Sequence, residues 1–144
     1  MKDITIKITG NQFIGDEMEE RMEFVTDGRM YERNGANYYI YEESEFSGFP
    51  GCMTSLKLKD GILRMKRLGK NSGQSYGTEL EFRKGGRFSS RYQTPFGSFD
   101  MEVLTNSLET SIDEDGCGLI KVDYHVSLEG MSEGRNALEI EISQ

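Results

Sequence analysis

Arg67 is the residue whose setting asks most of its surroundings. In Ile62-Leu63-Arg64-Met65-Lys66-Arg67, the apolar Leu63 and Met65 fall in the same period-two phase as Arg67. A strand that buries the first two carries the guanidinium inward as well. An internal guanidinium needs acceptors, because an unpaired buried charge costs several kcal/mol. Glu42 or Glu43, with Tyr39 or Tyr41, are candidates to supply them. Two readings follow. One is a structural ion pair. The other is a planar fork that grips a carboxylate or phosphate from outside the chain.

Other groups that resemble chemistry do less. His125 is the sole histidine and alternates with Asp123 and Ser127. Those three types suggest a hydrolase triad. Yet i, i+2 neighbours on a strand point the same way into water, whereas a triad needs a base aimed at its nucleophile by a buried acid. Asp113-Glu114-Asp115-Gly116 resembles part of a calcium loop but lacks the later bidentate acid, so it reads as an acidic turn. Cys52 and Cys117 stand far apart, which suits two small buried thiols and neither a zinc site nor a disulfide. No glycine-rich phosphate loop is present. No metal, no cofactor and no catalytic residue is expected.

The elements that would position these groups are strands. Ile4/Ile6/Ile8, Met22/Phe24/Thr26, Thr54/Leu56/Leu58, Leu80/Phe82, Phe99/Met101/Val103, Ile120 through Leu128, and Leu138/Ile140/Ile142 all alternate with polar residues. Asn34-Gly35 and Asp60-Gly61 suit two-residue hairpins, and Lys84-Gly85-Gly86, Pro95-Phe96-Gly97 and Asp115-Gly116 punctuate the rest. A short helix is allowed only over 16–22 or 107–112. About ten strand runs at short spacing predict an all-β chain. The expected fold is a single antiparallel up-and-down barrel of eight to ten strands, forming one domain over residues 1–144.

Composition limits the function classes. With 35% hydrophobic and 29% charged residues, the 144-residue chain is globular in type. Glycine at 17 against two prolines fits many tight turns. The first residues alternate without an apolar signal core, and no run is long enough for a spanning helix, so a cytoplasmic location without membrane attachment is expected. The formal charge of −8 argues against nucleic-acid binding through the overall field. Residues 57–91 nevertheless hold ten basic side chains against three acids. The interleaved aromatics Tyr76, Phe82, Phe88 and Tyr92 read as core rather than as a stacking platform.

The runs Tyr39-Ile40-Tyr41-Glu42-Glu43, Arg67-Leu68-Gly69, Tyr92-Gln93-Thr94-Pro95-Phe96-Gly97 and Ile120-Lys121-Val122-Asp123-Tyr124 occur in this order. With them the chain resembles the YwiB-like family of small bacterial proteins, a domain of unknown function. The resemblance runs roughly from Ile4 to Ile142. It implies a calycin-like (lipocalin-like) β-barrel, and it implies no activity, substrate or cofactor.

The expectation is therefore a non-enzymatic binding barrel for a small apolar or anionic ligand. Phe24, Leu56, Met65, Leu80, Phe82, Phe88, Met101 and Tyr124 would line the lumen, and Arg67, Glu42, Glu43, Tyr41, Tyr92 and Tyr124 would be its ligand-binding residues. The alternative is a protein-interaction module with a self-filled barrel and a protein partner. RNA binding through the basic wall of residues 57–91 ranks last.

Overall fold

Asn34 and Gly35 have φ of 54° and 78°, and Asp60 and Gly61 have 51° and 74°. Two successive positive φ values make the type I′ turn that matches the twist of paired strands, so each dipeptide folds its flanking runs into a hairpin. The computed structural model describes residues 1–14, 17–42, 53–68, 77–94, 97–128 and 132–144. Ten strands result: β1 (Lys2–Ile14), β2 (Glu17–Arg33), β3 (Ala36–Glu42), β4 (Met53–Lys59), β5 (Ile62–Leu68), β6 (Gly77–Phe82), β7 (Arg87–Thr94), β8 (Gly97–Ile112), β9 (Gly118–Leu128) and β10 (Ser132–Ser143). The short helices allowed over 16–22 and 107–112 do not form, since Glu17–Met22 belongs to β2 and Ser107–Ile112 to β8. In each stretch one long neighbour, β1 for β2 and β9 for β8, gives the backbone a ladder that a lone helical turn would forfeit.

The strands form one antiparallel sheet in the order β6-β5-β4-β3-β2-β1-β10-β9-β8-β7. Its two ends, β6 and β7, are consecutive in the chain, so the sheet curls into a nearly closed barrel. Among the described residues they share no ladder. Between them the Ser90 hydroxyl donates to the Glu79 carbonyl (3.2 Å) and the Gly86 N–H to the Arg83 carbonyl of the connecting turn (2.8 Å), while Gly85 and Gly86 carry the β7–β8 ladder on to Thr105 (3.0 Å each). Bulges at Gln12/Phe13 and at Thr105/Ser107 bend the longest strands around the barrel.

The inward phase fills the middle of the barrel. Ile4, Ile6, Ile8, Leu56, Leu63, Met65, Leu80, Phe82, Met101, Val103, Ile120 and Ile140 form one buried cluster. At one end, the 113–117 turn folds over this core. The Asp113 carboxylate accepts from the Asp115 and Cys117 amides, as an acidic turn should, and the Tyr39 hydroxyl donates to the Gly116 carbonyl at 2.8 Å. Gly116 has φ +81°, and a Cβ there would run into the Met30 side chain, so glycine is required for both reasons. Cys117 is a free, half-buried thiol whose pKa is raised by burial and by Asp113 and Asp115. Cys52 lies outside the described residues. No helix is long and apolar enough to cross a membrane, which says nothing of strands.

Two outcomes follow from this packing. Burial pushes the Tyr39 phenol up to about 12. Its hydroxyl stays protonated in the folded state while the unfolded chain ionises near 10, so its contribution is intact below pH 10. Stability should then fall by about 1.4 kcal/mol per pH unit between 10 and 12. Urea titrations across that window should show a shallower fall for Tyr39→Phe than for the parent. The Thr105 hydroxyl, by contrast, is buried without a hydrogen-bond partner among the described residues. Thr105→Val keeps the branched shape and removes the orphan, and should stabilise the barrel by about 1 kcal/mol in the same assay.

Candidate functional site

The register sorts the inward side chains into rows across the barrel. One row runs Ile4, Gly28, Tyr41, Thr54, Arg67 across β1 to β5. Gly28 makes this row possible. A Cβ at Gly28 would sit 2.8 Å from the Ile40 carbonyl and 3.4 Å from the Tyr41 Cβ, so the bulk of Tyr41 takes the space a side chain would need. Tyr41 and Thr54 are buried, and Arg67 is half-buried at the end of the row.

A second row, on the facing wall, runs Thr105, Tyr124, Asn136, Gln12, Glu20 across β8, β9, β10, β1 and β2. Directly beneath it lies an apolar row that includes Leu138, Gly10 and Met22. Arg67 faces the same space. Together they line a cavity of about 330 Å³ whose walls are Gly10, Gln12, Glu20, Met22, Arg67, Tyr124, Asn136, Ala137 and Leu138. The site is therefore amphipathic: an apolar floor beneath two amides, one phenol, one carboxylate and one guanidinium. Glycine at position 10 leaves room in the floor.

Tyr124 is the hinge of this arrangement. Its ring packs on Phe82 across the seam, with centroids 4.7 Å apart and planes tilted 51°. Burial raises its pKa, and the nearby Arg67 charge opposes that rise. Arg67 thus meets Tyr124, and period-two alternation identified both as inward residues. Tyr41 is inward as expected, but its neighbour Glu42 is exposed, because alternation sends adjacent residues to opposite faces. Glu42 lines instead a groove of about 830 Å³ on the surface, with Met1, Asp3, Asp27, Arg29 and Met53. The lumen assignment of Glu42 is corrected accordingly. Glu43 and the side chain of Tyr92 lie outside the described residues, as do Tyr76 and the Pro95-Phe96 pair. Gln12, Glu20 and Asn136 were missed by sequence reasoning. They are polar residues in an apolar phase at strand ends, and only the register shows that they converge.

On the outer wall, the bulged Asn106 donates its amide to Asp123 at 2.9 Å and stands 2.9 Å from His125 Nδ1, while Arg135 clamps both Asp123 oxygens at 3.0 and 2.6 Å. Arg135 also lies over the Phe13 ring at 4.9 Å. The Arg135 hydrogen bonds hold the Asp123 carboxyl below the usual carboxylate range. His125 stays exposed on this wall, beside an acid already committed to arginine. Among the described residues, no three His, Cys, Asp or Glu side chains group as a metal would require.

The fold and this mouth define a nearly closed ten-stranded antiparallel barrel with a filled body and a polar-rimmed pocket. The chain belongs to the family described as a domain of unknown function, DUF1934, whose profile matches residues 6–140. It is also similar to the crystal structure of the ywiB protein from Bacillus subtilis, with a TM-score of 0.72 and 18% identity over 98% of this chain and 90% of that one. That likeness speaks for the fold. No curated protein matches the chain.

The shared pocket has a spectroscopic consequence. Because the Arg67 charge favours the phenolate, Arg67→Met should move the Tyr124 ionisation further upward. An ultraviolet difference titration, read as parent minus Tyr124→Phe in each background, checks this. An unmoved curve would mean that the two groups do not share an electrostatic environment.

Proposed function

We propose that this protein is a non-enzymatic binding protein, and that its ligand is a small amphipathic anion seated at the barrel mouth. The observation that carries the reading is the convergence of Arg67 and Tyr124 over an apolar floor in one cavity of about 330 Å³. A carboxylate or phosphate would face the guanidinium fork, with the phenol and the amides of Gln12 and Asn136 as further donors. A short apolar tail would lie on Met22 and Leu138. The volume is at the lower end of small-molecule sites, and the buried cluster below it leaves the tail no deeper path.

The protonation states favour recognition over catalysis. A guanidinium stays charged, and a phenol with a raised pKa stays neutral near pH 7, so neither takes a proton in that range. Glu20 at the rim sets a charge preference. It tolerates one anionic group held by Arg67 and disfavours a second.

Octanoate and octyl phosphate are suitable probes, with octanol as the uncharged control, measured by calorimetry and by native mass spectrometry. The anions should bind at least about tenfold more tightly than octanol, given the usual strength of charge-assisted hydrogen bonds. Arg67→Met should remove that preference, and Glu20→Gln should strengthen anion binding. Equal affinity for octanol, or anion binding that survives Arg67→Met, would overturn the assignment.

A further inference from the structure

The outward phase of β2 to β6 carries a surface that the lumen does not use. One row runs Tyr31, Tyr38, Lys57, Arg64, Glu81 from strand to strand. Tyr31 and Tyr38 stack face to face, with centroids 4.7 Å apart and planes only 6° off parallel. The Lys57 ammonium lies 5.7 Å from the Tyr38 centroid. The row thus begins as an aromatic stack and continues as a line of cations. Glu81 at its far end is the acid of the row, and it is used up. Its side chain is only 11% exposed and sits between Arg64 (3.1 Å) and Arg83 (3.3 Å), both more than half exposed. An acid in that position aligns two guanidiniums side by side and leaves their remaining donors turned to solvent. Lys66 stands in the adjoining row, and Lys59 and Arg83 flank a hollow of about 250 Å³ beside Lys57 and Arg64.

We propose that this face of β2 to β6 binds single-stranded nucleic acid. A stacked tyrosine pair on a sheet face offers a π surface to bases, and a line of cations beside it follows a phosphate backbone. An acidic peptide would be served by the cations and would have no use for the aromatic stack. The formal charge of −8 does not preclude this, because charges on the opposite wall are screened beyond about 10 Å at 0.1 M salt. The aromatics that stack outward are Tyr31 and Tyr38, before the basic segment in sequence. The described aromatics within that segment, Phe82 and Phe88, follow the inward phase.

Fluorescence anisotropy with labelled oligouridylate and oligothymidylate decamers tests the proposal on the full chain. Binding should weaken with salt, and the Lys59→Gln/Lys66→Gln variant should lower the salt slope by about 0.7 per lysine removed. Tyr31→Leu/Tyr38→Leu should weaken binding about tenfold at fixed salt, with the thermal midpoint recorded to show that the barrel persists. Arg67→Met should leave it unchanged, which separates this surface from the mouth. No binding at low salt would overturn the proposal. So would an equally tight oligoglutamate peptide, or a folded tyrosine double variant that binds like the parent.

Discussion

The two edges of the sheet, β6 and β7, meet without a ladder, and what joins them decides the rest of the molecule. The Ser90 hydroxyl bonds the Glu79 carbonyl across the gap, the Gly86 N–H bonds Arg83 in the turn that joins them, and the Phe82 and Tyr124 rings pack from its two sides. A ten-stranded sheet with two free edges would present two rows of unpaired amides and carbonyls. Here the curl brings the edges together at one turn. On β8, the Thr105 hydroxyl is buried with no partner among the described residues. The ring contact that helps close the seam also fixes where the Tyr124 hydroxyl points, so barrel closure and the candidate pocket share one side chain.

From that closure follows a division of the chain into three environments. The capped end is sealed by the 113–117 turn, with Tyr39 bonded to the Gly116 carbonyl and Met30 filling the place of a side chain at Gly116. The body is packed with buried aliphatic and aromatic side chains. The opposite end carries the polar rows. Arg67 is half-buried at this end, and a charged group placed deeper would have faced the full desolvation cost. Outside, alternation distributes charge by wall. The basic residues of β4 to β6 lie on one side, while the Asp123–Arg135 clamp ties the other to its neighbours.

Much of this was legible in the residues. The hairpins at Asn34-Gly35 and Asp60-Gly61, the inward phase of Arg67 and Tyr124, the exposure of His125 and the acidic turn at Asp113 all follow from local rules, and so does the number of strands. The errors have a common cause. Glu42 was expected inside as an acceptor for Arg67, although alternation puts it on the face opposite its neighbour Tyr41. The stretch 107–112 admitted a helix because its own pattern is ambiguous, and the ladder with β9 settled it as strand. Gln12, Glu20 and Asn136 gave no signal, since a single polar residue in an apolar phase looks like noise until its cross-strand neighbours are known.

Which residues face inward, where the tight turns fall and that the chain is all-β can be read from the residues alone. Each of these depends on a period of two or on the φ of one or two residues, and both are local. Only the tertiary structure decided which inward residues meet. Arg67 and Tyr124 are 57 positions apart on facing walls, and Tyr31 joins Tyr38 and Lys57 only through the registers of β2 with β3 and β3 with β4. Register and curl are set by the whole sheet closing on itself, through long-range pairings that no window of the sequence contains.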